Sequence, residues 1–102
     1  MTGERPGCTA GEPGGPWESL VGCKVVVDTD TRYVYIGTLE AVGERFLTLT
    51  NVDVHDMSDS RVTKEIYALE AMKYGVRPNR TRTYLRVDRM VSVSKLQDVI
   101  RY

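Results

Sequence analysis

The sequence predicts an all-β domain that carries one longer helix, and three observations predict it. From Cys23 to Val54, 13 of 32 residues are Val, Ile or Thr, which is a strand composition. Between Lys64 and Tyr74 the apolar spacing changes from a period of two to that of a helix. Two short alternating stretches, Thr83 to Arg86 and Met90 to Ser94, then return to the strand pattern.

Each element follows in order. Pro16 to Gly22 reads as a short helical turn, with Pro early and Gly as the stop. Trp17 and Leu20, three apart, are placed to face the barrel that follows. Lys24 to Val27 is the first strand, and Asp28 to Thr31 supplies the turn. Arg32 to Val42 is the second strand, with Tyr33, Tyr35, Gly37, Leu39 and Ala41 on one face. Gly37 in mid-strand marks a bend or a close backbone approach. Gly43-Glu44 turns the chain into a third strand over Arg45 to Val54, completing an antiparallel meander. The helix from Lys64 to Tyr74 has Ser60 or Thr63 as its cap and Gly75 as its stop. Val62, Ile66, Leu69 and Lys73 form one stripe on it, and Tyr67, Ala71 and Tyr74 the next. Pro78-Asn79 breaks the chain before the two short strands. After them, Leu96, Val99 and Ile100 need a surface to cover.

Length and charge bound the rest. A chain of 102 residues allows one domain. Residues 1–16 hold five of the nine glycines and three of the four prolines. Such a stretch buries too little apolar surface to offset its ordering entropy, so a disordered tail is expected there and the working domain is 17–102. With 14 basic against 14 acidic residues the chain is formally neutral, which argues against bulk neutralisation of nucleic acid. The longest aliphatic run, Val25-Val26-Val27, is too short for a membrane span.

The chain offers Cys8, Cys23 and His55 without paired spacing, so no metal site is expected. A disulfide between the two cysteines is possible, but they read better as reduced thiols of a cytoplasmic, intracellular protein. His55, between Val54 and Asp56, reads as a surface histidine rather than a base. No nucleophile elbow, P-loop or dinucleotide fingerprint occurs, so neither an enzyme nor a cofactor is expected.

Several stretches resemble one family. Leu20-Val21-Gly22-Cys23-Lys24-Val25 is similar to the opening of the first strand of Sm-like proteins. Tyr35-Ile36-Gly37-Thr38-Leu39 resembles their first motif, and Leu85 to Val93 resembles their second. The resemblance covers about Leu20 to Ser94 apart from an insertion at about 57–82. It implies a small β-barrel, a five-stranded and strongly bent antiparallel sheet, with a helical insertion between strands three and four. It also implies single-stranded RNA as ligand and a homo-oligomeric ring, for which five to seven subunits are expected. Two departures stand out: the base-binding Asn is replaced by Leu47 or Thr48, and the second motif's Gly is Val87. Both narrow the case for RNA in the family's pocket.

The resemblance makes Arg45, Phe46, Thr48, Arg86, Asp88 and Arg89 the candidate RNA site. It makes Thr83, Tyr84 and Leu85 one candidate oligomer edge, with Val91, Ser92 and Val93 the other. Independently of it, Arg77, Arg80, Arg82, Arg86 and Arg89 put five guanidiniums within 13 positions, with Asp88 the only acid. Arg suits both phosphate and base stacking, and Tyr74 and Tyr84 flank the stretch. A solvated loop paired with Asp53, Asp56 and Asp59 explains the same cluster. Two functions therefore stand side by side. One is an RNA-binding ring; the other is a scaffold that binds protein through its edge strands or its insertion and touches no RNA.

Overall fold

The structure, a computed structural model, describes residues 18–58 and 63–100. The expected tail, together with Trp17, Ser60 and Val62, lies outside those residues.

A single 3₁₀ turn, Glu18–Leu20, leads into β1 (Lys24–Thr29), β2 (Tyr33–Val42) and β3 (Phe46–Asp56). Helix α1 (Lys64–Tyr74) follows, then β4 (Arg80–Arg86), a 3₁₀ turn at Val87–Arg89, β5 (Met90–Lys95) and a last turn at Leu96–Asp98. The expected helix agrees residue for residue with α1. Its cap is Thr63, whose hydroxyl accepts from the Ile66 N–H at 3.2 Å. Strand β4 begins at Arg80, earlier than the alternation alone indicates. Asn79 explains the extension: its side-chain amide accepts from Val54 N–H at 3.1 Å and donates to Val54 C=O at 3.0 Å. The side chain thereby continues the strand pairing by one step.

All neighbouring strands are antiparallel, in the order β4-β3-β2-β1-β5. Flat, such a sheet would hold its outer strands about 19 Å apart, four spacings of about 4.8 Å. Yet only Val87–Arg89 separate β4 from β5, and four residue steps span at most about 14 Å. The sheet must therefore curl. Two backbone bonds fasten the connecting turn, Val87 N–H to Arg45 C=O at 2.8 Å and Asp30 N–H to Arg89 C=O at 3.0 Å. The curl stops short of closure, because β4 and β5 do not pair with each other. The expected barrel is thus corrected to an open five-stranded sheet with two edges.

Both faces of the sheet bury apolar side chains. One gathers Val25, Val27, Leu39, Leu47, Leu49, Val52 and Leu85. The other carries Ile36, with Val26 beside it, beneath Ala71 of α1 and Leu96. Tyr35 and Leu39 of the expected β2 face do line the main core, but Val34 and Ile36, which alternate with them, are buried as well. Past the register shift after Leu39 the expected face is corrected: Val42 packs on the core while Ala41 is exposed. Helix α1 seats itself with its small residues, Ala68 and Ala71, which leaves Ile66 and Tyr74 exposed. Tyr67 stacks on His55 of β3 at a centroid distance of 4.3 Å, so packing accounts for that histidine. Cys23 is buried and disulfide-bonded, which corrects the reduced-thiol reading at that residue; Cys8 lies outside the described residues. No helix among the described residues is long and apolar enough to cross a membrane.

Candidate functional site: the β3–β4 face and the free strand edges

The β3–β4 ladder sets Phe46 opposite Arg86, Thr48 opposite Tyr84 and Thr50 opposite Arg82. Residues directly opposite each other in an antiparallel pair share a face. Because Leu47, Leu49 and Leu85 point into the core, these six side chains point away from it. The result is an outer face with two aromatic rings, Phe46 at 48% and Tyr84 at 64% exposure. Phe46 is therefore a surface residue and not core.

Arg45, Phe46, Arg86 and Asp88, four of the expected RNA-site residues, line one open cavity of about 510 Å³ with Glu44 and Val87. Thr48 lies one step along the face, half-buried. Arg89 is drawn elsewhere, since its Nε pairs with Asp30 of the β1–β2 turn at 3.1 Å. The guanidiniums are not a bare cationic strip. Arg86 pairs with Asp88 at 2.7 Å, and Arg82 reaches across β3 to Glu40 at 3.1 Å. These partners differ from the expected Asp53 and Asp56; Asp59 lies outside the described residues. Local backbone pairing settles one of them, since Asp56 accepts from Ser58 N–H and pairs with Arg32.

The candidate edge residues do sit at the two outer strands. Thr83, Tyr84 and Leu85 belong to β4, where Leu85 turns its side chain into the core. Val91, Ser92 and Val93 belong to β5, where Val91 is 65% exposed and Val93 packs on the core. Arg82 belongs to the arginine cluster that the sequence shows, whereas its partner Glu40 is brought to this face only by the strand register. The alternation Arg80, Arg82, Tyr84, Arg86 carried the signal for the face.

No protein-family model matches the chain, and no curated protein matches it. A chain in the crystal structure of the NatC complex bound to CoA is similar in fold, with a TM-score of 0.51 and 16% identity. The likeness covers 78% of this chain and 83% of that one; at that identity it concerns the fold alone. These findings overturn the Sm-like assignment, since no family model supports it and the similar structure is a chain of the NatC complex. The RNA-binding ring of five to seven subunits was implied by that assignment and loses its support with it.

Proposed function

We propose that this chain is a non-catalytic protein-binding module, a component of a larger protein assembly that it joins through the free edges of its sheet. The observation that carries the reading is the open sheet: β4 and β5 each pair on one side only among the described residues. An unpaired strand presents a row of N–H and C=O groups that another chain can complete. Exposed Tyr84 and Phe46 beside one edge and Val91 on the other supply apolar contact of the kind that interfaces use. The similarity to a chain from a crystallised complex supports the same reading. Helix α1 packs on the face of the sheet opposite the main core.

Native mass spectrometry of the protein isolated from its own cells tests this. The expected result is a complex of fixed stoichiometry in which the 11.5 kDa chain is joined to a different polypeptide without nucleic acid. A free monomer, or a complex of identical chains with RNA, overturns it.

A further inference from the structure

We infer that the β4 edge is a docking strand for an extended acidic segment of the partner, with an apolar residue between two carboxylates; this rests on the protein-binding reading above. The hydrogen-bond alternation identifies which groups are on offer. Val87 N–H donates to Arg45 C=O at 2.8 Å, so those two form a hydrogen-bonded pair at the end of the β3–β4 ladder. In an antiparallel ladder such pairs alternate with pairs that do not exchange bonds. Continuing the register, Leu47–Leu85 and Leu49–Thr83 are bonded pairs. The N–H and C=O groups of Arg82, Tyr84 and Arg86 therefore turn to the free edge.

Those same three residues are exposed, as are Arg80 and Thr81 at the start of the strand. A strand that pairs with β4 places its own residues directly opposite them, on the same face and at Cβ separations of about 5 Å. Carboxylates fit opposite Arg82 and Arg86, and an aliphatic or aromatic residue fits opposite Tyr84, with Phe46 extending the apolar ground. Strand β4 bears three guanidiniums, Arg80 included, and no carboxylate. The neighbouring acids hold them weakly. The Arg82–Glu40 and Arg86–Asp88 pairs have side chains about half exposed or more, and solvent screening leaves pairs of that kind weak. A partner carboxylate can replace them. Strand β5 offers a weaker preference, because Lys95 at its end is its only charged residue.

Fluorescence anisotropy on the full chain tests the inference with three kinds of probe. The first is a labelled nine-residue peptide centred on Glu-Thr-Val-Thr-Glu, and the second replaces both Glu with Lys. The third is a pair of Glu peptides that are N-methylated at alternate residues in the two possible registers. The Glu peptide should bind saturably, more weakly at high salt, and at least tenfold tighter than the Lys peptide. Only one of the two methylated peptides should lose binding, because a paired strand turns one set of N–H groups to β4. Arg82→Glu combined with Arg86→Glu should weaken the Glu peptide at least tenfold with an unchanged far-UV spectrum. The methylated probes need no variant, so misfolding cannot obscure the answer. Absent binding of the Glu peptide, equal binding of Glu and Lys peptides, equal behaviour of the methylated pair, or capture of a uridine-rich oligonucleotide in place of peptide overturns the inference. A heteromeric complex cross-linked only through β5 would overturn it while leaving the protein-binding reading intact; a monomer in native material would remove both.

Discussion

Gly37 of β2 packs against the β3 backbone where Asn51 takes a left-handed conformation, φ 50°. The register shifts there, with Ile36 opposite Asp53 and Thr38 opposite Thr50, so one residue of β2 faces two of β3. A Cβ on Gly37 would lie 3.0 Å from Thr50 O and 3.2 Å from Val52 Cα, both backbone atoms that cannot swing aside. Gly37→Val should therefore cost about 1–3 kcal/mol. For a domain of this size each kcal/mol lowers Tm by about 4–8 °C. An unchanged melting curve would mean that the two strands do not approach as described.

Across the same bulge, Asn51 should discriminate by backbone and not by chemistry. Asn51→Gly should change stability by less than about 0.5 kcal/mol, as at ordinary surface positions. Asn51→Val should lose about 1–2 kcal/mol, because a β-branched residue is strained at positive φ. Urea denaturation of the two variants side by side decides it, and equal midpoints would refute the conformation.

The cap of α1 makes a separable prediction. Thr63→Ala removes the acceptor for Ile66 N–H and should cost about 1 kcal/mol, whereas Thr63→Asp should retain stability. The pair is best read by chemical denaturation followed at 222 nm. Loss in both variants alike would show that Thr63 acts by packing.

Tyr67 holds its hydroxyl buried without a hydrogen bond of ordinary geometry. Burial first, and then the nearby Asp53 carboxylate, push its pKa above the ordinary value of 10.0. A group raised in the folded state stabilises fully below its unfolded pKa and loses that contribution as pH rises beyond it. Tyr67→Phe should thus be neutral or stabilising near pH 7, since it relieves an unpaired buried donor. It should also flatten the fall in stability above pH 10.0. A clear loss of stability at neutral pH would reveal a hydrogen bond that the structure does not show.

Acid titration tests the other end of the pH scale at Asp56. The Ser58 backbone N–H, donating to Oδ1 at 2.9 Å, and then the Ser58 hydroxyl lower its pKa below 3.8, with a smaller contribution from Arg32. The sign is that of a depressed carboxylate: its stabilisation is present above the ordinary value and is lost as pH falls through the folded one. Carbon-detected NMR should give an Asp56 midpoint below 3.8, and Arg32→Ala should move it only slightly. A large upward shift in that variant would make Arg32 the main cause instead.

The strands and the helix were legible because their signals are local. Val25 to Val27, the Leu47–Leu49 alternation, and Thr63 with Gly75 around an apolar helix all act within a few residues. Gly37 likewise announced its own close contact. What stayed hidden depends on partners distant in sequence. Helix α1 lies over the sheet face that holds Ile36, so β2 buries both faces, and alternation alone does not reveal the second. The choice of Ala68 and Ala71 over Ile66 as the seated face follows from how closely the helix approaches the sheet, which no helical wheel contains. At the candidate site the Arg cluster was visible, yet Glu40 and Asp30 became its partners only through strand register. The outward-turned edge groups of Arg82, Tyr84 and Arg86 follow from register too.

The pairing of β1 with β5 sets an order of events during synthesis. β1 is the first strand to leave the ribosome, and the strand that covers its outer side is the last. Until Met90 to Lys95 has been made, Val25 to Val27 sit on an unprotected flank, even with the rest of the sheet in place. Completion of the sheet therefore waits on a contact of long sequence separation and is slow for that reason. A chain cut short before Met90 would expose an aliphatic strand open to mispairing, and during synthesis that same strand is the first part of the domain a chaperone meets.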